Sequence, residues 1–369
     1  MWAGLKPAPT IWRFTVKDIY RQLARVLDSI PEGFPGTASG VELKLLAKLF
    51  TPGEAELACH LDLEPQLAKT IAQRCGREER ETFVSLKEMT KKGLIEAEKG
   101  QGGLVFKLIP FVVGIYENQN AQIDEEFARL VEAYFNEAFY KIMSHPPAVQ
   151  RVIPIETVIP VSLEVMPYER ASTYIDQAKS WGVLTCICRM QKRLIGQGCT
   201  HTEENCLVFS SKSRAFLRSE DIRPITREEA VEILAKADQE GLVHSTRNVQ
   251  KDVTYICNCC TCSCAILNGL IKYGQLNAVG RSDFYAALDE SCCTGCGACV
   301  QRCQFKALEV RDGLCQLDRS RCYGCGLCVS SCPSQALTLK LKPADEIKSP
   351  PLSQSQWREE RTRASASKI

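Results

Sequence analysis

Residues 287–310 read ALDESCCTGCGACVQRCQFKALEV, and residues 316–339 read QLDRSRCYGCGLCVSSCPSQALTL. The two stretches align without a gap at an offset of 29 residues, so this part of the chain is an internal duplication. Each repeat carries the run C-x2-C-x2-C-x3-C: Cys293, Cys296, Cys299 and Cys303 in the first, Cys322, Cys325, Cys328 and Cys332 in the second. With 21 cysteines in 369 residues, four specified positions match at about one start in 100,000 if positions are independent. Two such runs in tandem are therefore not an accident of composition. Three cysteines spaced by two residues can wrap one small inorganic core in a tight loop. Soft, anionic thiolate suits an iron–sulfur cubane, whose four irons each take one such ligand.

The duplicated segment closely resembles the bacterial two-cluster ferredoxin domain. In that family the fourth cysteine of each run ligates the other cluster. The resemblance implies one [4Fe-4S] cluster on Cys293, Cys296, Cys299 and Cys332, and a second on Cys322, Cys325, Cys328 and Cys303. Gly295, Gly297, Gly324 and Gly326 let the backbone approach closely. Two positions depart from the family pattern. Gln304 stands where proline is usual, which should loosen the turn after Cys303. Cys292 is an extra thiol aligned with Arg321 and is read as a bystander. Zinc is the competing ligand for cysteine-rich segments, but its sites use four cysteines in two pairs, not eight in two interlocked quartets.

A further block of cysteines precedes this domain. Cys186, Cys188, Cys199 and Cys206 are followed, about 50 residues later, by CNCCTCSC, which supplies Cys257, Cys259, Cys260, Cys262 and Cys264. Bringing the two groups together would make a third metal centre. A third iron–sulfur cluster is the first reading, with zinc, a redox-active dithiol or plain structure as alternatives. Candidate ligands are Cys186, Cys188, Cys199, Cys206, Cys257, Cys259 and Cys260. The preferred quartet is Cys188, Cys199, Cys206 and one of Cys257, Cys259 or Cys260. His201 and His244 are auxiliary candidates. Cys59 and Cys75, far upstream, read as packing residues.

Composition sets the remaining bounds. The chain is 45% hydrophobic and 24% charged with a net charge of +2, enough for two or three domains and without an overall polyanion-binding field. No signal peptide and no apolar run long enough to span a membrane is read. The expectation is a cytoplasmic protein of a reducing, low-oxygen cell, with an anaerobe implied by analogy with the ferredoxin family.

The expected fold is α+β and multidomain. Residues 1–36 read as a leader around one helix, Val16 to Ile30. Residues 37–118 resemble a winged-helix domain. Its helices start near Val41, after Thr51 as N-cap, around Ala68 to Arg74, and from Glu78 to Lys92. Two strands turn at Gly100 to Gly103 as the wing. Residues 119–167 read as a long periodic helix, serving core or homodimer packing, followed at 150–167 by a proline-punctuated, β-branched stretch of short strands or linker. Residues 168–283 form a cysteine-rich α/β middle domain with helices from Glu169 to Trp181 and from Thr226 to Gln239, the latter opened by a Thr226/Glu229 capping box. Residues 284–342 are the dicluster domain, and 343–369 a disordered tail.

The functional expectation is electron transfer through two [4Fe-4S] clusters to or from a redox partner, a flavoprotein or another oxidoreductase. No catalytic residue is identified, which favours an electron-transfer protein or oxidoreductase subunit over a stand-alone enzyme. The alternative is a redox-sensing winged-helix transcriptional regulator. Against DNA, the N-terminal end of the would-be recognition helix reads Arg77-Glu78-Glu79-Arg80-Glu81, whose carboxylates repel phosphates.

Overall fold

The computed structural model describes residues 16–366 except 218 and 220, so the first 15 residues of the expected leader lie outside the described residues. The N-terminal region runs α1 (Val16–Ser29), α2 (Val41–Leu49), α3 (Pro52–Ala58), β1 (Gln66–Leu67), α4 (Ala68–Cys75), α5 (Glu79–Lys91), β2 (Ile95–Gly100) and β3 (Gly103–Leu108). Thr51 accepts from the Glu54 amide while Glu54 accepts from the Thr51 amide, with Pro52 at the first helical position. These satisfy amides that a helix N-terminus otherwise leaves unpaired. Gly93 follows α5 at φ +70°, where a Cβ would lie 2.5 Å from the Asn118 side chain. Strands β2 and β3 form a hairpin, and β1 adds to β3 to give the order β1-β3-β2. The leader expectation is corrected: Leu23 and Leu27 of α1 are fully buried in the main core, so α1 belongs to this domain.

The expected helix from residue 119 starts later. Asp124 accepts from the Phe127 amide at 2.8 Å and caps α6 (Glu125–Tyr134). A π-helical turn at Phe135–Phe139 then leads into α7 (Tyr140–Ile142). Phe127, Val131, Tyr134, Phe135, Ala138 and Ile142 are buried along its core face.

The middle region comprises β4 (Gln150–Val152), α8 (Ala171–Gln177), β5 (Ser180–Thr185), α9 (Ile187–Leu194), β6 (Glu204–Ser210), β7 (Arg223–Ile225), α10 (Arg227–Gln239), β8 (Val243–Arg247), β9 (Tyr255–Cys259), α11 (Ala265–Ile271) and β10 (Val279–Gly280). Its seven strands form one sheet in the order β10-β4-β8-β9-β6-β5-β7. Of the two readings of residues 150–167, residues 150–152 take the short strand, buried between β8 and β10. One expectation is corrected here: the helix expected from Glu169 to Trp181 stops at Gln177, and Trp181 lies in β5 opposite Phe209 and Ile225. The Thr226/Glu229 capping box is formed as read, and Gly241 ends α10 in the left-handed region.

The C-terminal region contains β11 (Phe284–Leu288), α12 (Ala298–Arg302), β12 (Leu308–Arg311), β13 (Leu314–Leu317), α13 (Leu327–Ser330), β14 (Leu337–Leu341) and α14 (Gln354–Ala366). Strand β11 pairs antiparallel with β14 and β12 with β13, so the outer strands of the duplication close on each other. The disordered-tail expectation is corrected. Trp357 and Arg361, four residues apart on α14, are each 2% exposed. The Trp357 ring donates to the Ala148 carbonyl at 2.8 Å. Arg361 donates to the carbonyls of Pro31, His145 and Pro147 at 2.7–2.8 Å, and to that of Ile142. The polar composition of the tail conceals these two anchors. Among the described residues, no helix is long and apolar enough to cross a membrane.

Candidate metal centres

The duplicated segment folds as two equivalent half-units. Asp289 and Asp318 accept from the amides of Ser291 and Ser320, turning the chain into each cysteine run. Gly297 and Gly326 open α12 and α13 in the left-handed conformation. At Gly295 and Gly324 a Cβ would come within 2.1–2.2 Å of the carbonyl oxygens of Gly313 and Phe284. Only glycine lets the run pack this closely on the opposite strand.

The fold sorts the eight cysteines into two cavities. One is lined by Cys293, Cys296 and Cys299 from the first run and Cys332 from the second. The other is lined by Cys322, Cys325 and Cys328 from the second run and Cys303 from the first. Three neighbouring thiols and one from the distant run in each cavity match the donor set that a cubane requires. Main-chain amides already point at these sulfurs. Cys315 N donates to Cys293 Sγ and Ala286 N to Cys322 Sγ, both at 3.4 Å, and Ala307 N to Cys303 Sγ at 3.2 Å.

The two cavities differ in surroundings. Cys296 is exposed at the first, whereas Cys322, Cys325 and Cys328 are all buried at the second. Burial pushes the Cys325 thiol up to about 12 and raises Cys303 and Cys328 as well. The second cavity faces the middle domain, with the Cys325 carbonyl accepting from the Ile155 amide at 2.9 Å. The first cavity has a fifth thiol that sequence reading passed over. Cys315, on β13, lies 3.5 Å from Cys299 Sγ and takes the place that Ala286 holds in the other half. The 29-residue offset pairs Cys315 with Ala286 and was the available signal. Cys292 is exposed beside Asp289 and lines neither cavity.

The nine cysteines of the middle domain fall into two groups rather than one. Cys188, Cys186, Cys206, Cys257, Cys259 and Cys264 form a chain of sulfur contacts in that order, all buried or part-buried. The sheet explains their meeting. Cys257 and Cys259 point to one face of β9, since side chains alternate along a strand. The neighbouring ladder to β6 brings Cys206 beside them. Cys186 and Cys264 cap the N-termini of α9 and α11. Hydrogen bonds from neighbouring thiols hold Cys186 and Cys259 well below the usual thiol range. Those of Cys188, Cys206, Cys257 and Cys264 are correspondingly raised. Tyr116 lies next to Cys188. Glu117, pushed up to about 7 by burial, lies near Cys186.

Cys199 and Cys260 stand apart from these six, with Cys262 and His201. The preferred quartet of Cys188, Cys199, Cys206 and one of Cys257, Cys259 or Cys260 is therefore not assembled in one place. Arg189 lies between the groups. Its guanidinium donates to the Thr202 carbonyl, Asn205 Oδ1 and the Asn258 carbonyl at 2.8–3.0 Å, and approaches Cys260 Sγ at 3.6 Å. His244 is buried against Asn258 on the adjacent strands, away from the His201 group. Cys59 and Cys75 are part-buried in the helical domain. Burial pushes Cys59 up to about 12, and Cys75 donates to the Ile71 carbonyl at 3.0 Å.

The dicluster domain docks on the middle domain beside Cys303. Arg302 donates to the Gln239 carbonyl at 2.5 Å and also to that of Asp238, while Ser330 donates to Asp238 Oδ1 at 2.8 Å. Gln304 donates to the Gly241 carbonyl at 3.0 Å and accepts from Thr261, the residue between Cys260 and Cys262. The expectation that Gln304 loosens its turn is thus incomplete, because the glutamine supplies an interdomain contact that proline lacks.

No curated protein and no solved structure matches the chain. A family model for the 4Fe-4S binding domain matches residues 286–309 and 316–338, one match on each repeat. The C-terminal region accordingly carries a 4Fe-4S binding domain, consistent with a ferredoxin-like cluster domain.

Proposed function

We propose that this protein passes electrons through two [4Fe-4S] clusters to or from a partner oxidoreductase. The observation that carries the reading is the pair of cavities that each join three thiols of one run to one of the other, one with an exposed cysteine and one facing the middle domain. Cys293, Cys296, Cys299 and Cys332 hold the outer cluster, and Cys322, Cys325, Cys328 and Cys303 the inner one. Bound cubanes supply one-electron redox chemistry over a range of about −700 to +450 mV, set in part by hydrogen bonds to sulfur and by solvent exposure. The chain contributes the amides that donate to Cys293, Cys303 and Cys322. It also keeps water from the inner site and leaves the outer one open to a partner.

A third iron–sulfur centre is assigned to the six contacting thiols around Cys186, Cys206 and Cys259. Soft thiolates at this density suit iron–sulfur ligation. The inner cavity and these thiols then flank the same domain junction. Within the N-terminal domain the run α3-β1-α4-α5-β2-β3, helix–strand–helix–helix–strand–strand, supports a winged helix, used here to dock protein. Arg77, Lys92 and Lys107, which a DNA backbone would need, are paired with Glu56, Glu54 and Glu96. A redox titration followed by EPR on anaerobic protein tests the reading. Two magnetically interacting cluster signals are expected, with a third from the middle domain. A single isolated cluster signal would contradict it.

A further inference from the structure

We infer that Cys199, His201, Cys260 and Cys262 bind a single tetrahedral metal ion, zinc by its chemistry, which fixes the loop on which the dicluster domain docks. The four donor atoms all lie within 4.8 Å of one another. Cys199 Sγ is 4.0 Å from Cys260 Sγ, and His201 Nδ1 is 3.4 Å from Cys199 Sγ. A tetrahedral zinc with Zn–S of about 2.3 Å and Zn–N of about 2.0–2.1 Å sets its donors about 3.5–3.8 Å apart. Small movements therefore close this site around one ion. Three cysteines and one histidine form a known structural zinc set.

The donors come as two short pairs, Cys199-Thr-His201 and Cys260-Thr-Cys262, from two loops. One follows α9 and the other follows β9, so an ion would tie together segments that no strand pairing joins. Three thiolates on a divalent ion leave one net negative charge, and the buried Arg189 guanidinium stands 3.6 Å from Cys260 Sγ to offset it. Ser263 Oγ lies 3.6 Å from Cys199 Sγ, an outer contact of the kind that orients metal ligands. Cys262 is exposed, which gives the ion a path from solvent. Between Cys260 and Cys262, Thr261 donates to Gln304, next to Cys303. Zinc has no redox chemistry, so the ion is a clamp on this junction and not a relay.

The test is metal analysis of the full chain purified anaerobically from zinc-sufficient cells, alongside Cys262→Ser. The expected result is one zinc per chain in the parent, lost in the variant, with iron and sulfide unchanged in both. Cobalt(II) added to chelator-treated parent protein should give the intense visible absorption of a tetrahedral thiolate site, which does not depend on how the variant folds. A zinc-free parent that gives no such cobalt spectrum would overturn the inference. So would a Cys262→Ser protein that loses iron and keeps zinc.

Discussion

Gln304 Oε1 accepts two hydrogen bonds from Thr261, from its amide at 2.9 Å and its hydroxyl at 2.8 Å, and so joins the residue after Cys303 to the loop between Cys260 and Cys262. Two cysteine-bearing segments separated by 43 positions in sequence are thus linked through this side chain, beside the contacts of Arg302 and Ser330 to Asp238. Electron transfer between centres depends on a fixed separation, and this contact is among the polar links that would set it.

Gln304→Pro restores the residue usual in the ferredoxin family but removes all three side-chain hydrogen bonds, including that to the Gly241 carbonyl. Leaving such part-buried groups unpaired costs about 1–3 kcal/mol. The variant should keep its full iron content. Its dicluster domain should be released from the middle domain at lower temperature and cut faster at the junction by a protease. An unaltered melting curve and digestion pattern would show that the contact does not secure the domains.

Cys315 should tune the outer cluster without ligating it. Burial, together with the adjacent Cys299 thiol, pushes it up to about 12, so it carries a proton to share with Cys299 Sγ at 3.5 Å. A donor to a ligand sulfur favours the more negative, reduced cluster and raises its potential. A hydrogen bond of about 0.5–1.5 kcal/mol corresponds to about 20–65 mV for one electron. Cys315→Ala should lower the outer potential by that amount at unchanged iron content, as read by EPR-monitored titration. A loss of iron would instead make Cys315 a ligand.

Arg361→Ala should destabilise the chain by about 1–3 kcal/mol or more, since it strips the donor from four carbonyls in a buried site. Denaturant unfolding measures the loss, and iron content should not change. A neutral outcome would show that α14 is dispensable to the fold.

How much of this was legible in the sequence follows from the range of the interactions involved. The cluster domain is written in local spacing, because three of every four facing thiols come from one loop. The capping residues Thr51 and Thr226 are local in the same way. The partition of the nine middle cysteines is not local. It depends on β9 lying between β6 and β8, which turns Cys257 and Cys259 toward Cys206 and leaves Cys260 and Cys262 in the loop beyond. The change from strand alternation to loop at Cys260 was a usable signal, and so was the histidine two residues after Cys199. The role of α14 rests on two side chains whose partners lie more than 200 residues away, which composition alone does not reveal.

The most direct test of the central claim is the iron and acid-labile sulfide content of anaerobically purified protein, parent beside Cys325→Ser. The parent should hold at least about eight irons and eight sulfides from the duplicated domain, rising to about twelve with the third centre, and the variant should lose about four. Protein that stays colourless and iron-free after reconstitution, or a Cys325→Ser chain with undiminished iron, would contradict the account.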